Sequence, residues 1–446
     1  MNIKIFEQYQ DYLGRLLRAQ VDVEGTTPLQ GQTKTVTFQV TDGCNLRCTY
    51  CYQINKGKRI MSFDVAKQFF DLLVEDSYKD DTYVSIKTTP ALVIEFIGGE
   101  PLLEIELIDQ ITDYIRWKLI SENHPWANKI IFSMISNGVL YFEPKVQEYL
   151  TKNKGVVSFG ISLDGCRDLH DMCRVFPDGT GSYSLAEAGC KHYMANYESK
   201  MLTKMTIAPA NVTWVFEAFK NLYHLGYETI HANCVYEKGW EIEHAKILYE
   251  QLKLVADFIV DNDLEEKLVF TMFSSEDCKP MVDEDNQNYC GSTGCMLACD
   301  PDGQICPCIR FMKSSLGDEI GDFTLGNITD GIGNTEEHKN NINILDNITR
   351  RSQSTDECWN CPIGRGCGWC TAYNFQKTGS PDKRCTYICW MHRARSLANV
   401  YYWNKAYQKH EEDKDTRYKL YLEKEHALQI ISEEEYNMLL ELSKQE

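Results

Sequence analysis

The chain has 446 residues, 19 cysteines and a formal net charge of −19 at pH 7. Its composition, with 43% hydrophobic and 25% charged residues, is that of a globular protein and excludes wholesale disorder. The acidic balance argues against a nucleic-acid-binding protein, because such a protein needs a basic surface that neutralises phosphates. At roughly 150 residues per domain, this length predicts two or three domains.

The N-terminal segment offers no uninterrupted apolar core for a signal peptide, because charged residues interrupt its apolar positions. No later stretch approaches the roughly 18 consecutive apolar residues of a membrane span. We therefore expect a cytoplasmic protein without a membrane partner. Disulfides are rare in that compartment, so the 19 cysteines need another explanation, and metal binding is the leading one.

Residues 1–34 are predicted to form an N-terminal helical extension, and residues 35–275 alternate strands with helices. Six apolar runs, each followed by a helical segment, predict the strands: 35–41, 92–97, 130–136, 156–163, 204–208 and 229–235. Such strands, separated by helices, indicate a parallel sheet that is buried on both faces. The predicted fold class is α/β, a partial (β/α)6 TIM-like barrel whose functional site lies at the C-terminal ends of the strands.

Residues 276–395 differ in character, because they are rich in Gly and Cys and show little periodicity. Twelve of the 19 cysteines lie between Cys278 and Cys389. A segment with so little apolar surface is typical of a small domain that depends on bound metal for its fold. Residues 396–446 return to a helical pattern and are predicted to form a C-terminal helical tail.

Three cysteines with the spacing Cys44-x3-Cys48-x2-Cys51 directly follow the first predicted strand. Thiolates this close on one loop can hold three irons of a [4Fe–4S] cluster, which leaves the fourth iron open to another ligand. Zinc normally takes four ligands from paired cysteines, and no fourth cysteine or histidine lies nearby in the sequence. An iron–sulfur cluster is therefore the favoured interpretation, and incidental loop cysteines are the alternative.

Further motifs end the next predicted strands: Gly98-Gly99-Glu100-Pro101, Ser136-Asn137-Gly138 and Ile161-Ser162-Leu163-Asp164-Gly165, with His170-Asp171 and Arg174 downstream. Together with the cysteine loop, this series resembles the radical S-adenosylmethionine (SAM) enzymes. The resemblance implies that Cys44, Cys48 and Cys51 hold the cluster at which SAM releases a 5′-deoxyadenosyl radical. It assigns cofactor binding to Tyr50, Gly98, Gly99, Glu100, Pro101, Ser136, Asn137, Ser162, Asp164 and Arg174. The sequence assigns no residue as the general base.

The later cysteines follow the order Cys290, Cys295, a Pro301-Asp302-Gly303 turn with Pro307-Cys308, then Cys358, Cys361, Cys367, Cys370, Cys385 and Cys389. This pattern is similar to the SPASM domain, an extension of peptide-modifying radical SAM enzymes that carries two auxiliary [4Fe–4S] clusters. For the first cluster the resemblance implies Cys290, Cys308 and Cys370, with Cys295 as a candidate fourth ligand. For the second it implies Cys358, Cys361, Cys367 and a C-terminal cysteine, Cys389 in preference to Cys385. A zinc ribbon is the competing interpretation.

By this resemblance we expect an enzyme that modifies a ribosomally made peptide, with three [4Fe–4S] clusters and SAM as cofactors. A thiolate on iron is deprotonated and held in place, so a sulfur-to-carbon thioether is the expected product. The expected partners are a Cys-containing precursor peptide and a reductant such as flavodoxin or ferredoxin. Residues 1–34 are too few for the leader-binding module of many such maturases. We therefore expect leader binding at a barrel edge, on the C-terminal helices or by a separate protein.

Three other functions stay open. A carbon–carbon peptide cyclase is not separable from a thioether enzyme by sequence. An anaerobic sulfatase maturase, which oxidises Cys or Ser to formylglycine, carries an acid directly after the Pro-Cys, where this chain has Ile309-Arg310. A catalytically silent iron–sulfur or zinc scaffold is disfavoured by the intact cysteine loop and the Gly98–Pro101 turn.

Overall fold

The computed structural model describes residues 31–80, 82–197, 203–235, 239–385, 388–410 and 417–444, so almost all of the predicted N-terminal extension lies outside the described residues. The strands are β1 (Lys34–Thr41), β2 (Leu92–Gly98), β3 (Ile130–Ser136), β4 (Val157–Ile161), β5 (Thr203–Ile207), β6 (Thr229–Cys234), β7 (Val269–Phe270), β8 (Met296–Cys299), β9 (Gln304–Cys306), β10 (Gly326–Asn327) and β11 (Gly331–Ile332). The helices are α1 (Phe63–Ser77), α2 (Ile105–Ser121), α3 (Pro144–Lys152), α4 (Arg167–Asp171), α5 (Tyr183–Asn196), α6 (Val215–His224), α7 (Ile242–Asp261), α8 (Lys313–Leu316), α9 (Glu336–Asp346), α10 (Arg350–Gln353), α11 (Asp356–Trp359), α12 (Thr371–Thr378), α13 (Cys389–Lys409), α14 (Lys424–Ala427) and α15 (Glu433–Leu442).

Each predicted strand forms, and no strand end differs from its predicted bound by more than two residues. A helix follows each of these strands, as the alternating pattern predicts. Helix α1 shows how the local signals act, because Ser62 caps it by accepting a hydrogen bond from Val65 N–H at 3.2 Å. Its buried face includes Phe69 and Leu73. The α/β fold class is therefore confirmed.

Strands β1 to β4 pair in parallel and separate their side chains onto two faces. Val36, Ile94 and Phe132 lie in register and are buried in the apolar core with the helices. Between them, Thr37, Glu95 and Ser133 form a polar row on the opposite face. On β5, Lys204 and Thr206 likewise alternate with buried residues. We call the space between these polar faces the lumen.

The barrel is interrupted between β4 and β5, which the sequence pattern did not predict. Strands β5, β6 and β7 form a sheet of their own and share no ladder with β4. Side chains bridge the gap instead. The Thr203 hydroxyl donates to the carbonyl of Leu163 at 3.0 Å, and the Thr206 N–H donates to the carboxylate of Asp164 at 3.0 Å. The loop after β4 therefore connects the two sheets.

The Cys-rich segment extends the main sheet. Strand β8 pairs in parallel with β1, with Thr35 opposite Met296 and Phe38 opposite Cys299. Strands β9, β10 and β11 follow in antiparallel order, so the described residues contain a sheet ordered β11-β10-β9-β8-β1-β2-β3-β4. The Cys-rich segment is consequently joined through β8 to the same strand that leads into the first cysteine loop.

Helix α13 runs through residue 395, where the sequence pattern predicts a domain boundary, and packs along α7 of the barrel. None of the 19 cysteines, all of which lie in the described ranges, forms a disulfide. Among the helices that the structure describes, none combines the length and apolar character needed to cross a membrane.

Candidate active site

The cysteine loop, residues 44–51, lies at the C-terminal end of β1 and is anchored through its backbone. Arg47 N–H donates to the carbonyl of Val175 at 2.7 Å, and Thr49 N–H donates to the carbonyl of Cys173 at 2.9 Å. Both acceptors belong to the segment after α4. The loop thus reaches from β1 toward the end of β4, across the mouth of the barrel where the site is predicted.

The thiols of this loop lie in a partly buried setting. Burial raises the pKa of Cys44 and raises that of Cys48 to about 11, although the Lys56 ammonium opposes both shifts. Cys44 Sγ also accepts a hydrogen bond from Leu46 N–H at 3.4 Å. Metal ligands must be thiolates, so a bound metal would release these protons and offset the charge of the buried anions. Cys44, Cys48 and Cys51 on one anchored loop fit a [4Fe–4S] cluster.

The Gly98–Gly99 turn packs against the start of the cysteine loop with no space for side chains. A Cβ on Gly99 would lie 2.3 Å from the carbonyl oxygen of Gly43, and one on Gly98 would lie 2.8 Å from that of Thr41. Gly99 N–H donates to Thr41 O at 3.0 Å, and Glu100 N–H donates to Gly43 O at 2.8 Å. Glycine is therefore required here because backbone meets backbone.

The Glu100 carboxylate joins the ends of β2 and β3. It accepts hydrogen bonds from Ser136 Oγ at 2.7 Å, from Asn137 N–H at 2.8 Å and from Leu102 N–H at 3.0 Å. The side chain is buried, and burial raises the pKa of its carboxyl group. Glu100 thus acts as a positioning residue, because it fixes the ends of β2 and β3, which carry residues predicted to bind SAM.

Asn137 and Ser162 extend these hydrogen bonds to the cysteine loop and to the end of β4. The Asn137 amide donates to Asn45 Oδ1 in the cysteine loop at 2.7 Å and lies 4.0 Å from Cys44 Sγ. Ser162 N–H donates to the carbonyl of Ser136 at 2.8 Å. The ends of β2, β3 and β4 and the cysteine loop are therefore hydrogen-bonded into one rim.

Asp164, Arg174 and Tyr50 form a buried cluster at this rim. Arg174 donates to both carboxylate oxygens of Asp164, at 2.9 and 3.2 Å, and the Asp164 side chain is 0% exposed. The Tyr50 hydroxyl donates to the same carboxylate, and its ring centroid lies 5.4 Å from the Arg174 guanidinium. The sequence assigns these residues separately to SAM, and the structure brings them together as an ion-paired unit.

His170 and Asp171 hold the loop after β4 in shape. His170 Nδ1 accepts a hydrogen bond from Asp164 N–H at 3.3 Å, and its Nε2 lies 3.0 Å from Ser182 Oγ. Burial lowers the pKa of His170 to about 4, so the imidazole is neutral. The Asp171 carboxylate accepts a hydrogen bond from Tyr183 N–H at 2.8 Å. Both residues orient the segment that carries Arg174.

The lumen carries charges that the sequence analysis missed. Glu95 accepts a hydrogen bond from Thr37 Oγ1 at 2.8 Å, and burial raises the pKa of its carboxyl group. Lys204 on β5 interacts with it electrostatically, and desolvation by the surrounding protein together with the cations Arg174 and Arg310 lowers the pKa of Lys204. The sequence does carry a signal for Glu95, because it is the single Glu within the apolar run of β2. Alternation along the strand places it on the face opposite the core.

Cys290, Cys308 and Cys370, the first auxiliary group, lie close enough to interact electrostatically. Burial raises the pKa of the Cys308 thiol, and the charges of Cys370 and Cys290 raise it further. Cys290 Sγ lies 3.3 Å from Thr371 Oγ1, at the start of α12. Burial also raises the pKa of Cys295, with a further contribution from Cys290. The structure therefore brings the first predicted ligand set together, with Cys295 beside Cys290.

Cys358, Cys361, Cys367 and Cys389 form the second auxiliary group. Burial raises the pKa of Cys389 to about 11, and the thiols of the other three members add to that shift. The N–H of Cys385 donates to the side chain of Asn374 at 3.2 Å. Among the described residues, no three His, Cys, Asp or Glu side chains are arranged to hold a single metal ion. A [4Fe–4S] cluster binds each thiolate to a different iron, so its ligands stand further apart.

Residues 38–252 match the family described as the Radical SAM superfamily. This chain carries a radical SAM domain. The match begins in β1, before the cysteine loop, and ends in α7, so it includes every motif at the barrel rim. The predicted family resemblance is confirmed.

Two curated relatives differ in how much of this chain they cover. The uncharacterized protein MJ0907 of Methanocaldococcus jannaschii is 28% identical over 197 residues, which are 44% of this chain and 61% of that protein. A cysteine-type anaerobic sulfatase-maturating enzyme of Clostridium perfringens is 25% identical over 305 residues, 65% of this chain and 76% of the enzyme.

Two solved structures show the same fold. Native anSMEcpe with bound AdoMet and the Cp18Cys peptide has a TM-score of 0.59 at 18% identity, covering 82% of this chain and 96% of its own. Streptococcus suis SuiB bound to the precursor peptide SuiA has a TM-score of 0.53 at 14% identity, covering 85% of this chain and 79% of its own. The assignment of individual residues as cluster ligands and as SAM contacts stays a prediction.

Proposed function

We propose that this chain is a radical SAM enzyme that forms a thioether crosslink in a cysteine-containing, ribosomally made peptide. The observation that carries the proposal is the position of Tyr52 between two cysteine groups. Tyr52 directly follows Cys51 of the cysteine loop, and its ring lies against Arg310, two residues after Cys308 of the first auxiliary group. Burial raises the pKa of its phenol. The Arg310 guanidinium lies 4.7 Å from its ring centroid. A peptide beside Tyr52 would adjoin both the SAM site and a group of three thiols, to which its own sulfur would add a ligand.

The proposed cofactors are SAM and three [4Fe–4S] clusters, one on residues 44–51 and one at each auxiliary group. When bound, they supply the 5′-deoxyadenosyl radical and take up one electron. The chain's own residues position that chemistry: Gly99 and Glu100 fix the rim, and the Asp164–Arg174 pair holds Tyr50 in place. A flavodoxin or ferredoxin reductant, a leader-binding surface or protein, and a cytoplasmic location complete the proposal.

The reaction replaces one S–H bond and one C–H bond of the peptide with one S–C bond, a net loss of two hydrogens. The carbon-bound hydrogen leaves as an atom to the deoxyadenosyl radical. The thiol hydrogen leaves as a proton, and Glu95 is the lumen carboxylate placed to accept it. The remaining electron would be taken up by the bound cofactors, so that atoms and charge balance.

The test is anaerobic co-expression with a short Cys-containing peptide encoded near the gene, followed by thiol alkylation and mass spectrometry. A thioether predicts loss of two hydrogens per event, with the participating cysteines no longer alkylated. The same loss with every thiol still free would replace the proposal with carbon–carbon crosslinking. The triple variant Cys44→Ala/Cys48→Ala/Cys51→Ala is the control and should leave the peptide unchanged. Modification by that variant would contradict radical chemistry.

Formylglycine formation is a second candidate, because the curated relative of Clostridium perfringens is a cysteine-type anaerobic sulfatase-maturating enzyme. The acid that follows the Pro-Cys in that family is replaced by Ile309-Arg310 in this chain. Glu95 nevertheless supplies a carboxylate to the lumen. The same mass spectrometry separates the two reactions, because formylglycine replaces the cysteine sulfur with oxygen whereas a thioether retains it.

A further inference from the structure

Two buried arginines face the second auxiliary group of cysteines. Arg384 is 8% exposed and Arg350 is 6% exposed. One Nη of Arg384 donates to Cys367 Sγ at 2.7 Å and lies near the carbonyls of Cys367 and Gly368, at 3.2 and 3.3 Å. Arg350 donates to the carbonyl of Gly364 at 2.7 Å. Both guanidinium groups therefore lie against the segment that carries Cys361 and Cys367.

The Arg350 guanidinium is incompletely satisfied. Its Nε is buried and makes no hydrogen bond to any residue that the structure describes. The carboxylate in its surroundings, Asp285, is engaged by Arg365 at 2.9 and 3.1 Å. The sulfurs of Cys358 and Cys367 also interact electrostatically with Arg350. A buried cation is strongly unfavourable unless it is paired. The cysteine sulfurs are therefore the remaining groups near Arg350 that could pair with it.

We propose that Arg350 and Arg384 donate N–H···S hydrogen bonds to the second auxiliary [4Fe–4S] cluster and raise its reduction potential. This inference rests on the proposed function, which places that cluster on Cys358, Cys361, Cys367 and Cys389. A cluster's potential depends on net charge, hydrogen bonds to sulfur and solvent exposure, and both arginines change the first two in the same direction. They are positioning residues that make this cluster the better electron acceptor for the substrate oxidation.

The test is an anaerobic potentiometric titration of the full-length, cluster-loaded enzyme, followed by electron paramagnetic resonance. The transition of the second cluster is the one lost in Cys358→Ala/Cys361→Ala. Arg350→Gln and Arg384→Gln should each lower its midpoint by at least 59 mV, a tenfold change in the ratio of oxidised to reduced cluster. Arg384→Lys keeps the charge and should lower it less. The control is Arg351→Gln on the same helix, because Arg351 is 44% exposed and pairs with Asp356 at 2.5 Å.

Each outcome decides the matter. Unchanged midpoints in both Gln variants, with iron content retained, overturn the inference and leave the proposed function intact. Loss of the cluster from both Gln variants with no shift in Arg384→Lys also overturns it, since the arginines would then support only the fold. A wild-type enzyme without a cluster on these cysteines overturns the second auxiliary site itself. Lowered midpoints with an unshifted Arg351→Gln support the inference.

Discussion

Replacing Asp164 with Asn is expected to destabilise the barrel, because it leaves a buried cation unpaired. The carboxylate accepts two hydrogen bonds from Arg174, one from the Thr206 N–H at 3.0 Å and one from the Tyr50 hydroxyl. The Arg174 side chain is only 11% exposed. Removing one partner of a buried ion pair costs about 3–5 kcal/mol, so we expect Asp164→Asn to lower the free energy of unfolding by that amount.

The assay is urea unfolding of the anaerobically purified enzyme, followed by circular dichroism. The matched control is Glu106→Gln, which removes an exposed pair with Lys145 at 2.7 Å and should cause no measurable change. The double variant Asp164→Asn/Arg174→Met should recover part of the loss, because it also removes the unpaired charge. An Asp164→Asn enzyme within about 1 kcal/mol of wild type would refute the assignment of the pair as a structural link.

Three further predictions concern the rim and the ligands. Gly99→Ala places a Cβ 2.3 Å from the backbone oxygen of Gly43, at the start of the cysteine loop. Calorimetry should show SAM binding weakened at least tenfold, which is about 1.4 kcal/mol. The control Gly321→Ala should leave SAM binding unchanged, because no atom lies within 4 Å of its added Cβ. Burial lowers the pKa of His170 from 6.5 to about 4, so the unfolded chain takes up its proton first as the pH falls. This histidine should therefore remove about 1.4 kcal/mol of stability between neutral pH and pH 5.5, and in urea titrations the pH-dependent loss should be smaller by that amount for His170→Gln than for wild type. Cys389→Ala should remove one cluster's iron by metal analysis and Cys385→Ala none, and the reverse result would reassign the ligand.

The sequence predicts the barrel strands well because their signal is local. An apolar run such as Leu92–Gly98 is long enough to be recognised as a strand from the sequence alone. Because the rim motifs directly follow such runs, the sequence also places them at the ends of the strands. The hydrogen bonds of Glu100 could not be predicted, because its partners Ser136 and Asn137 come from the end of another strand and a motif does not show which side chain accepts which hydrogen bond.

The parts that sequence reasoning missed depend on distant residues. Strand β8 has only four residues, too few to show a period, and its pairing with β1 is set by tertiary packing. The break between β4 and β5 is likewise invisible in the pattern, because both segments look like ordinary strands. Lys204 could have been placed in the lumen by alternation along β5, but its electrostatic interaction with Glu95 depends on how the two separate sheets are arranged.

The central claim is that this site uses SAM to remove hydrogen from a peptide whose cysteine thiol is then consumed. The most direct measurement counts 5′-deoxyadenosine and free thiols in the same anaerobic reaction with SAM, dithionite and the peptide. The account predicts one thiol lost for each deoxyadenosine that the peptide elicits, and neither change with the variant lacking Cys44, Cys48 and Cys51. Deoxyadenosine formation with every thiol retained would contradict thioether formation, and thiol loss without SAM would contradict the radical mechanism.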